Sequence, residues 1–377
     1  MTATPRGVDR PAAPRSAPPG AAPGGATYTA APGGATYTAA GVDIAAGDEA
    51  VDRIRRVVES TRRPGVLGTV GGFSGLFALD TDRYRHPVLV SSTDGVGTKM
   101  LVAQATGRFG TVGVDLVAMC VDDLVCAGAE PLFLLDYVAT GRLVPERIEQ
   151  LVAGIADGCR QAGCALLGGE TAEHPGAMAP DALDLAGFAV GVVERGAELG
   201  PHRVAPGDVL VGLASPGLRS NGYSLARHVL LERAGLELDD PAWPGADHSL
   251  ADELLRPSVV YAPAVRAAIE AAPEGVHACA HITGGGIPGN LVRALPSGTS
   301  ALVERGTWEV PAIFGETARH GAVADDEMAR VFNLGLGMVL VVDPAACDAV
   351  RAALASAGHV APVVGSVAAG GEGVVLR

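Results

Sequence analysis

The sequence predicts an α/β or α+β protein built from two domains. Apolar residues at helical spacing alternate with short apolar runs typical of strands, and this pattern occurs in both halves of the chain. The chain has 377 residues, which is enough for two hydrophobic cores. A stretch rich in glycine and proline, residues 196–207, separates the two patterns. We therefore expect one domain over residues 41–195 and a second over residues 204–377.

Residues 1–40 are predicted to be a disordered extension. They consist mainly of Pro, Ala, Gly and Thr without apolar periodicity, and the segment APGGATYTA occurs twice in tandem. They lack the continuous apolar segment of a signal peptide. The six cysteines lack the C-x-x-C spacing of zinc or redox sites. We therefore expect a cytoplasmic protein with reduced thiols, in which Cys120 and Cys126 pack in the core.

The spacing of apolar residues predicts the elements in order. In the first half it indicates three helices, over residues 51–58, 114–125 and 145–163. It indicates four strands there, over residues 88–91, 132–138, 165–167 and 186–193. In the second half we expect strands at residues 209–213 and 338–342 and helices at residues 224–234 and 262–272.

The charge of the chain limits its partners. The formal net charge of −14 argues against nucleic acid or an anionic membrane as the main partner. No uncharged apolar run approaches the ~20 residues that a membrane-spanning helix needs. An acidic protein still binds phosphates when its carboxylates hold a divalent cation between them. The net charge therefore does not exclude small anionic ligands.

Lys99 is the only lysine in a chain whose other 27 basic residues are arginine. It ends the glycine-rich turn Ser92–Lys99, which follows an apolar run and contains Asp94. This turn has neither the spacing of a Walker A loop nor that of a G-x-G-x-x-G fingerprint. Lysine offers a compact point charge that suits a phosphate beside a glycine turn. The alternative is that its position is a compositional accident.

Carboxylates form the second cluster. Asp115 and Asp122 lie seven residues apart on one face of the second predicted helix, with Asp123 beside them. Such a face is either solvated or shares a cation. Asp94 and Glu170 each follow a predicted strand, where α/β sheets place their ligands. Together these oxygens suit Mg²⁺ that bridges phosphates.

Two further segments lie in the second half. Residues 220–224, SNGYS, precede a predicted helix and either receive an anion or simply cap that helix at Asn221. His281 begins HITGGG, whose three glycines indicate a tight turn with close backbone approach. A more specific hypothesis is that the backbone of this turn binds a phosphate. For His281 itself, a structural role is favoured over a catalytic one.

Taken together, the chain resembles the AIR synthetase family, the phosphoribosylformylglycinamidine cyclo-ligases of purine biosynthesis. The likeness runs from Tyr37 to the C-terminus, in order and at consistent spacing. It rests on GVDI at Gly41, TRRP at Thr61, GGF at Gly71, STDGVGTK at Ser92, GVDLVAMCVDDL at Gly113, GAEPLFLLDYVATG at Gly128, GGETAEHPG at Gly168, SNGYSL at Ser220, HITGGG at His281 and FNLGLGM at Phe332.

The resemblance implies an ATP-dependent ring closure of formylglycinamidine ribonucleotide that also uses Mg²⁺. It implies a homodimer whose N-terminal mixed sheets join into a shared barrel, with a C-terminal α/β domain in each subunit. The positions it assigns to the nucleotide are Gly71, Gly72, Asp94, Lys99, Asp115, Asp123, Glu170, Gly284, Gly285 and Gly286. Within this set, Asp94, Asp123 and Glu170 would hold the metal. The catalytic positions would be Lys99, Asp94, Asn221 and Arg219, and Asn221, Gly284–Gly286 and Asn333 would face the substrate.

Two of the departures from the family's usual sequence introduce a charged residue. Arg219 stands where the family usually has histidine, and Asp122 stands where it usually has asparagine. Because a guanidinium cannot give up a proton at neutral pH, we expect Arg219 to contact a phosphate. Thiamine-monophosphate kinase, selenophosphate synthetase and the formylglycinamide ribonucleotide amidotransferase share this type of acidic ATP site. A catalytically silent nucleotide-binding or scaffold protein is the alternative from another class.

Overall fold

The structure, a computed structural model, describes residues 35–69 and 71–377. The disorder expected for residues 1–34 therefore lies outside the described residues. Residues 36–40 were included in that expectation but belong to a hydrogen-bonded turn, in which the amide of Ala40 donates to the carbonyl of Thr36 at 3.1 Å. The ordered chain therefore begins before the predicted boundary.

The N-terminal half consists of four helices and six strands among the described residues. They are α1 (Ile44–Glu59), β1 (Val66–Leu67), β2 (Leu76–Phe77), β3 (Pro87–Gly95), α2 (Lys99–Thr106), α3 (Gly110–Cys126), β4 (Glu130–Thr140), α4 (Pro145–Ala162), β5 (Ala165–Glu173) and β6 (Leu183–Glu194).

The main sheet of this half has the strand order β3-β6-β4-β5. Only β4 and β5 are parallel, and the other neighbours are antiparallel. One face of the sheet packs against α3, and α3 packs in turn against α4. The opposite face exposes large apolar side chains, with Leu89 66%, Phe188 42% and Tyr137 39% exposed. A sheet with one bare apolar face is typical of a protein that covers that face with another surface.

The C-terminal half is built around a six-stranded mixed sheet of order β12-β9-β11-β7-β10-β8. Its elements are β7 (Val209–Ala214), α5 (Tyr223–Arg227), which continues as a π-helical segment (His228–Arg233), α6 (Leu250–Leu254), α7 (Ala262–Ala271), β8 (Val276–His281), α8 (Gly286–Leu291), β9 (Thr299–Val303), α9 (Ala312–Gly321), α10 (Asp325–Val331), β10 (Leu336–Val342), α11 (Cys347–Ser356), β11 (Val363–Ala369) and β12 (Gly373–Leu376).

The expectation of a mixed α/β protein with two domains is confirmed. Helix α4 begins at Pro145 and ends before Gly163, which adopts a left-handed φ of 69° as a C-terminal cap. Strands β3 and β5 extend beyond their apolar runs into the polar segments that carry Asp94 and Glu170. None of the helices in the described part of the chain is long and apolar enough to cross a membrane.

Helices α3 and α4 approach closely because glycines occupy their contact. A β carbon added to Gly154 would lie 1.8 Å from the carbonyl oxygen of Gly110, and one added to Gly113 would lie 2.3 Å from the amide of Ile155. The two helix backbones therefore touch directly. This contact fixes the position of α3, the helix that carries Asp115, Asp122 and Asp123.

We predict that Gly154→Ala destabilises the protein by about 3 kcal/mol, because the added methyl forces α3 away from α4. The matched control is Gly47→Ala in α1, where an added β carbon meets nothing within 4 Å. In that control, the free energy of unfolding should rise by about 0.5 kcal/mol, because alanine has a better helix propensity than glycine. Urea unfolding measures both variants, and equal stabilities would contradict the close packing.

Candidate active site

Helix α3 lies between the two domains and presents its acidic residues to the second one. It packs against the sheet of the first domain and also against α7 and β8 of the second. Asp115 and Asp122 are fully buried in this contact. Of the two alternatives for this helix face, solvation does not hold for Asp115 and Asp122, because a second domain covers them.

Asp115 forms a buried ion pair with Lys99, with 2.5 Å between Oδ2 and Nζ. The ammonium also donates to the carbonyls of Arg219 and Arg256, at 3.0 and 2.7 Å. The other carboxylate oxygen accepts from the amide and the hydroxyl of Ser258, at 2.8 and 2.6 Å. Burial lowers the pKa of Lys99, and the charge of Asp115 opposes this shift. Every one of these C-terminal groups is thereby tied to the N-terminal domain.

This geometry corrects the nucleotide roles expected for Lys99 and Asp115. An ammonium has three protons, and three protein oxygens surround this one. Neither side chain has any solvent exposure through which a phosphate could approach. The pair therefore joins the domains in this structure and is not placed to contact a nucleotide.

Arg219 forms a second buried ion pair across the same interface. Its Nη2 donates to Oδ2 of Asp122 at 2.9 Å and its Nη1 donates to the carbonyl of Val259 at 3.0 Å. Burial raises the pKa of Asp122, and the charge of Arg219 opposes that shift. The anion that Arg219 contacts is thus a side chain of the protein. The expected contact with a phosphate is wrong for a guanidinium that is 2% exposed.

His281, at the end of β8, connects this pair to Asp123. Its Nε2 lies 2.9 Å from Nη2 of Arg219, and its Nδ1 lies 2.9 Å from Oδ1 of Asp123. The hydroxyl of Ser92 donates to the other oxygen of Asp123 at 3.2 Å. Burial acts to raise the pKa of Asp123, but the contact with His281, the hydrogen bond from Ser92 and the charge of Arg293 together outweigh it, so the net shift of this pKa is downward. Asp123 is therefore an ionised carboxylate held by two donors.

Asp123 and His281 border a cavity of about 330 Å³ between the domains. Asp94 stands beside them at the end of β3, where burial raises its pKa and the charge of Asp123 adds to the effect. Its carboxylate accepts from the amide of Gly95 at 2.7 Å. The structure thus brings Asp94 and Asp123 together, as the sequence predicts.

Glu170, Gly71 and Gly72 lie elsewhere in the same chain. Strand β5, which carries Glu170, is at the opposite sheet edge from β3, about 14 Å away at the usual strand spacing. Glu170 pairs with Tyr137, one register position beyond the row that contains Asp94, so it faces the other side of the sheet. Gly71 and Gly72 line a separate cavity of about 730 Å³. The expectation that one metal touches Asp94, Asp123 and Glu170 does not hold within one chain.

The glycine turn after β8 has a structural reason for its composition. Gly285 and Gly286 have left-handed φ values of 99° and 60°, and a β carbon on Gly286 would lie 1.9 Å from the carbonyl oxygen of Ala329. The exposed amide of Gly284 donates to Oδ1 of Asn221 at 3.0 Å, which places Asn221 at this turn. Asn333 is buried and donates to the carbonyl of Gly217, so it does not face a substrate.

Arg293 and Asn290 are lining residues of the interdomain cavity that the sequence did not single out. The side chain of Asn290 donates to the carbonyl of Gly286 at 2.8 Å and so closes the glycine turn. Arg293 is exposed, and its charge contributes to the lowered pKa of Asp123. The sequence feature that could have identified Arg293 is its position one helical turn after Asn290, the asparagine that follows GGG.

The arrangement of the carboxylates limits the kind of metal site that they can form. Within the described residues, no three side chains of the His, Cys, Asp or Glu type converge closely enough to hold a metal. Mg²⁺ commonly takes only one or two protein carboxylates and completes its shell with water and phosphate oxygens. Asp94 and Asp123 fit that arrangement as a pair, whereas a three-carboxylate site does not fit.

Comparisons with known proteins agree with this architecture. The model of the AIR synthase related protein N-terminal domain matches residues 80–193, and that of the C-terminal domain matches residues 205–377. The phosphoribosylformylglycinamidine cyclo-ligase of Anaeromyxobacter dehalogenans (strain 2CP-1 / ATCC BAA-258) is 57% identical over 334 residues, which cover 89% of this chain and 96% of the relative. That of Myxococcus xanthus (strain DK1622) is 55% identical over 332 residues, covering 88% and 95%.

Solved structures share the fold at low sequence identity. Thiamine-monophosphate kinase from Stenotrophomonas maltophilia K279a has a TM-score of 0.65 at 21% identity, covering 87% of this chain and 96% of its own. The hydrogenase maturation protein HypE in complex with ATP has a TM-score of 0.59 at 18% identity, covering 86% and 90%. These likenesses establish the two-domain architecture alone.

We predict that Lys99→Met destabilises the protein by about 4 kcal/mol, because it leaves Asp115 buried without a counter-charge. The double variant Lys99→Met/Asp115→Asn should recover most of this loss, since asparagine still accepts from Ser258 and carries no charge. The measurement is a double-mutant cycle of unfolding free energies. Strictly additive losses of stability would contradict a stabilising interaction between Lys99 and Asp115.

Proposed function

Because the chain belongs to the AIR synthase family, with phosphoribosylformylglycinamidine cyclo-ligases as relatives at up to 57% identity, we propose that its interdomain cavity is the site of that ring closure. The enzyme converts formylglycinamidine ribonucleotide and ATP to 5-aminoimidazole ribonucleotide, ADP and phosphate. This is a step of purine biosynthesis, and we place it in the cytoplasm. The observation that carries the assignment of the site is the pair of neighbouring carboxylates Asp94 and Asp123, of which Asp123 borders the cavity between the domains.

The chemistry needs positioning more than it needs a protein nucleophile. ATP phosphorylates the formyl oxygen of the substrate, the amidine nitrogen attacks the activated carbon, and phosphate leaves. Phosphoryl transfer of this kind depends on charge neutralisation and alignment. The cavity supplies an ionised Asp123, a neighbouring Asp94 and the exposed guanidinium of Arg293. Arg293 suits a phosphate group of the substrate, because a guanidinium fork matches phosphate oxygens.

Mg²⁺ is part of the proposal through Asp94 and Asp123. When bound, it would neutralise phosphate charge and hold the phosphate chain in place. The backbone amide of Gly95 and the side chains of Ser92 and His281 orient the two carboxylates. Asn221 accepts a hydrogen bond from the amide of Gly284 and so holds the glycine turn that follows His281.

We also propose a homodimer in which the bare sheet face is covered by a second copy. Leu89, Tyr137 and Phe188 form an exposed apolar surface on β3, β4 and β6, and a shared barrel would bury it. Gly71, Gly72 and Glu170 lie at the β5 edge of the same sheet. A second chain packed there is the arrangement in which these residues contribute to a nucleotide site.

The test of the function is ADP release by the purified protein with ATP and Mg²⁺, with and without formylglycinamidine ribonucleotide. We expect ADP and 5-aminoimidazole ribonucleotide in equal amounts, and only background ADP without the substrate. ADP release that ignores the substrate would identify a different phosphotransferase. Binding of ATP without any turnover would identify a nucleotide-binding protein that has lost its activity.

For the carboxylates, we predict that Asp123→Asn raises the Mg²⁺ concentration for half-maximal rate about tenfold or more, because a charged ligand is lost. The matched control is Asp157→Asn, a substitution of an exposed residue on α4, which should leave the Mg²⁺ requirement unchanged. Glu170→Gln shows whether the β5 edge takes part in the same site. An unchanged Mg²⁺ requirement in Asp123→Asn contradicts the proposed pair.

A further inference from the structure

Arg219 occupies an unusual position beside the proposed site. It is 2% exposed, adopts a left-handed φ of 63°, and its guanidinium carbon lies 4.7 Å from the centre of the Tyr261 ring. The guanidinium contacts a carboxylate, a carbonyl and the ring nitrogen of His281 at once. Neither the left-handed backbone nor the buried charge is favourable for a structural arginine.

The contact with His281 determines where the ring proton is. An arginine side chain only donates hydrogen bonds and keeps all its protons in a protein. Nη2 of Arg219 therefore donates across the 2.9 Å to Nε2 of His281, which must offer its lone pair. The proton of the neutral ring is then on Nδ1. Geometry at one nitrogen thus selects the tautomer at the other.

This tautomer is the one that Asp123 requires. Nδ1 lies 2.9 Å from Oδ1 of Asp123, so a proton on Nδ1 makes this contact a hydrogen bond. In the opposite tautomer, two lone pairs would face each other and the carboxylate would lose one of its two donors. Ser92 alone would then hold it, at 3.2 Å.

Arg219 is itself held in place by the carboxylate of Asp122, which does not line the cavity. Asp122 accepts from the amides of Tyr261 and Ala262, at 2.8 and 3.0 Å, at the start of α7. Its second oxygen receives Nη2 of Arg219. The charged groups that face His281 are thus Asp122, at 4.0 Å, Asp123, Arg219 and the nearby Asp94.

From this arrangement we propose that Arg219 is a positioning residue, which locks His281 in its Nδ1–H tautomer and thereby aims the carboxylate of Asp123 into the cavity. The relay runs from Asp122 through Arg219 and His281 to Asp123, and it crosses from one domain to the other and back. The tautomer rests on the geometry alone, whereas its catalytic consequence rests on the proposed function.

The first experiment reads the tautomer in the ligand-free protein. Nitrogen-15 NMR of the histidine-labelled chain at about pH 8, above the usual histidine range, separates a protonated from a lone-pair nitrogen. We expect His281 to show a lone-pair signal at Nε2 and a protonated signal at Nδ1, assigned by their loss in His281→Gln. A proton on Nε2, with or without one on Nδ1, overturns the proposal.

The second experiment removes the arginine without leaving a buried charge. In Arg219→Met/Asp122→Asn, asparagine still accepts from the start of α7 and no ion is left unpaired. We expect His281 to lose its single-tautomer spectrum, while His277, which pairs with Asp208 at 2.8 Å, stays unchanged as the matched control. A spectrum of His281 identical to that of the parent overturns the proposal.

The kinetic consequence is measured on the same folded double variant. We expect kcat to fall about tenfold or more and the Mg²⁺ requirement to rise, with the KM for ATP nearly unchanged, because residues that orient a ligand typically have effects of this size. A purely structural role predicts lower stability with unchanged kcat and Mg²⁺ requirement, and that result overturns the positioning role. If the parent itself forms no aminoimidazole ribonucleotide, the proposed function fails while the tautomer measurement still stands.

Discussion

The buried ion pair between Lys99 and Asp115 is the interaction on which the domain arrangement depends. It joins α2 and α3 of one domain to the carbonyls of Arg219 and Arg256 and to Ser258 in the other. Removing two charges from water is unfavourable, and only well-placed partners offset it. The pair is therefore satisfied only when the domains are docked in one way, and docking fixes the cavity between them.

Helix α3 converts this docking into site geometry. Its direct backbone contact with α4 fixes its depth in the first domain. Asp115, Asp122 and Asp123 then meet three separate groups of the second domain, which are Ser258, Arg219 and His281 respectively. Arg219 is shared between these contacts, because its carbonyl binds Lys99 while its side chain binds Asp122. The ion pair and the relay to Asp123 are consequently one connected network.

Much of this could be predicted from the sequence, and the errors have a common physical origin. Helix α4 follows from its capping residues, and the heptad spacing of Asp115 and Asp122 correctly places them on one helix face. Spacing does not say whether water, a metal or another domain covers that face, since each accepts carboxylates. The uniqueness of Lys99 was informative, but a point charge suits a buried carboxylate as well as a phosphate. Glu170 was grouped with Asp94 because both follow strands, and strand order is not visible in the sequence.

The distribution of counter-charges separates the four acids into two kinds. Asp115 and Asp122 are buried, and each has a cation of its own in contact. Asp123 borders the cavity and Asp94 lies near it, with His281 as a hydrogen-bond partner of Asp123 and the exposed Arg293 as a nearby cation. In a chain of net charge −14, the carboxylates of Asp94 and Asp123 would repel an incoming phosphate. A phosphate chain would therefore bind beside these carboxylates only together with a cation that contacts both the carboxylates and the phosphates. Because Asp115 and Asp122 are already neutralised within the protein, the proposed Mg²⁺ would be stabilised most beside Asp94 and Asp123.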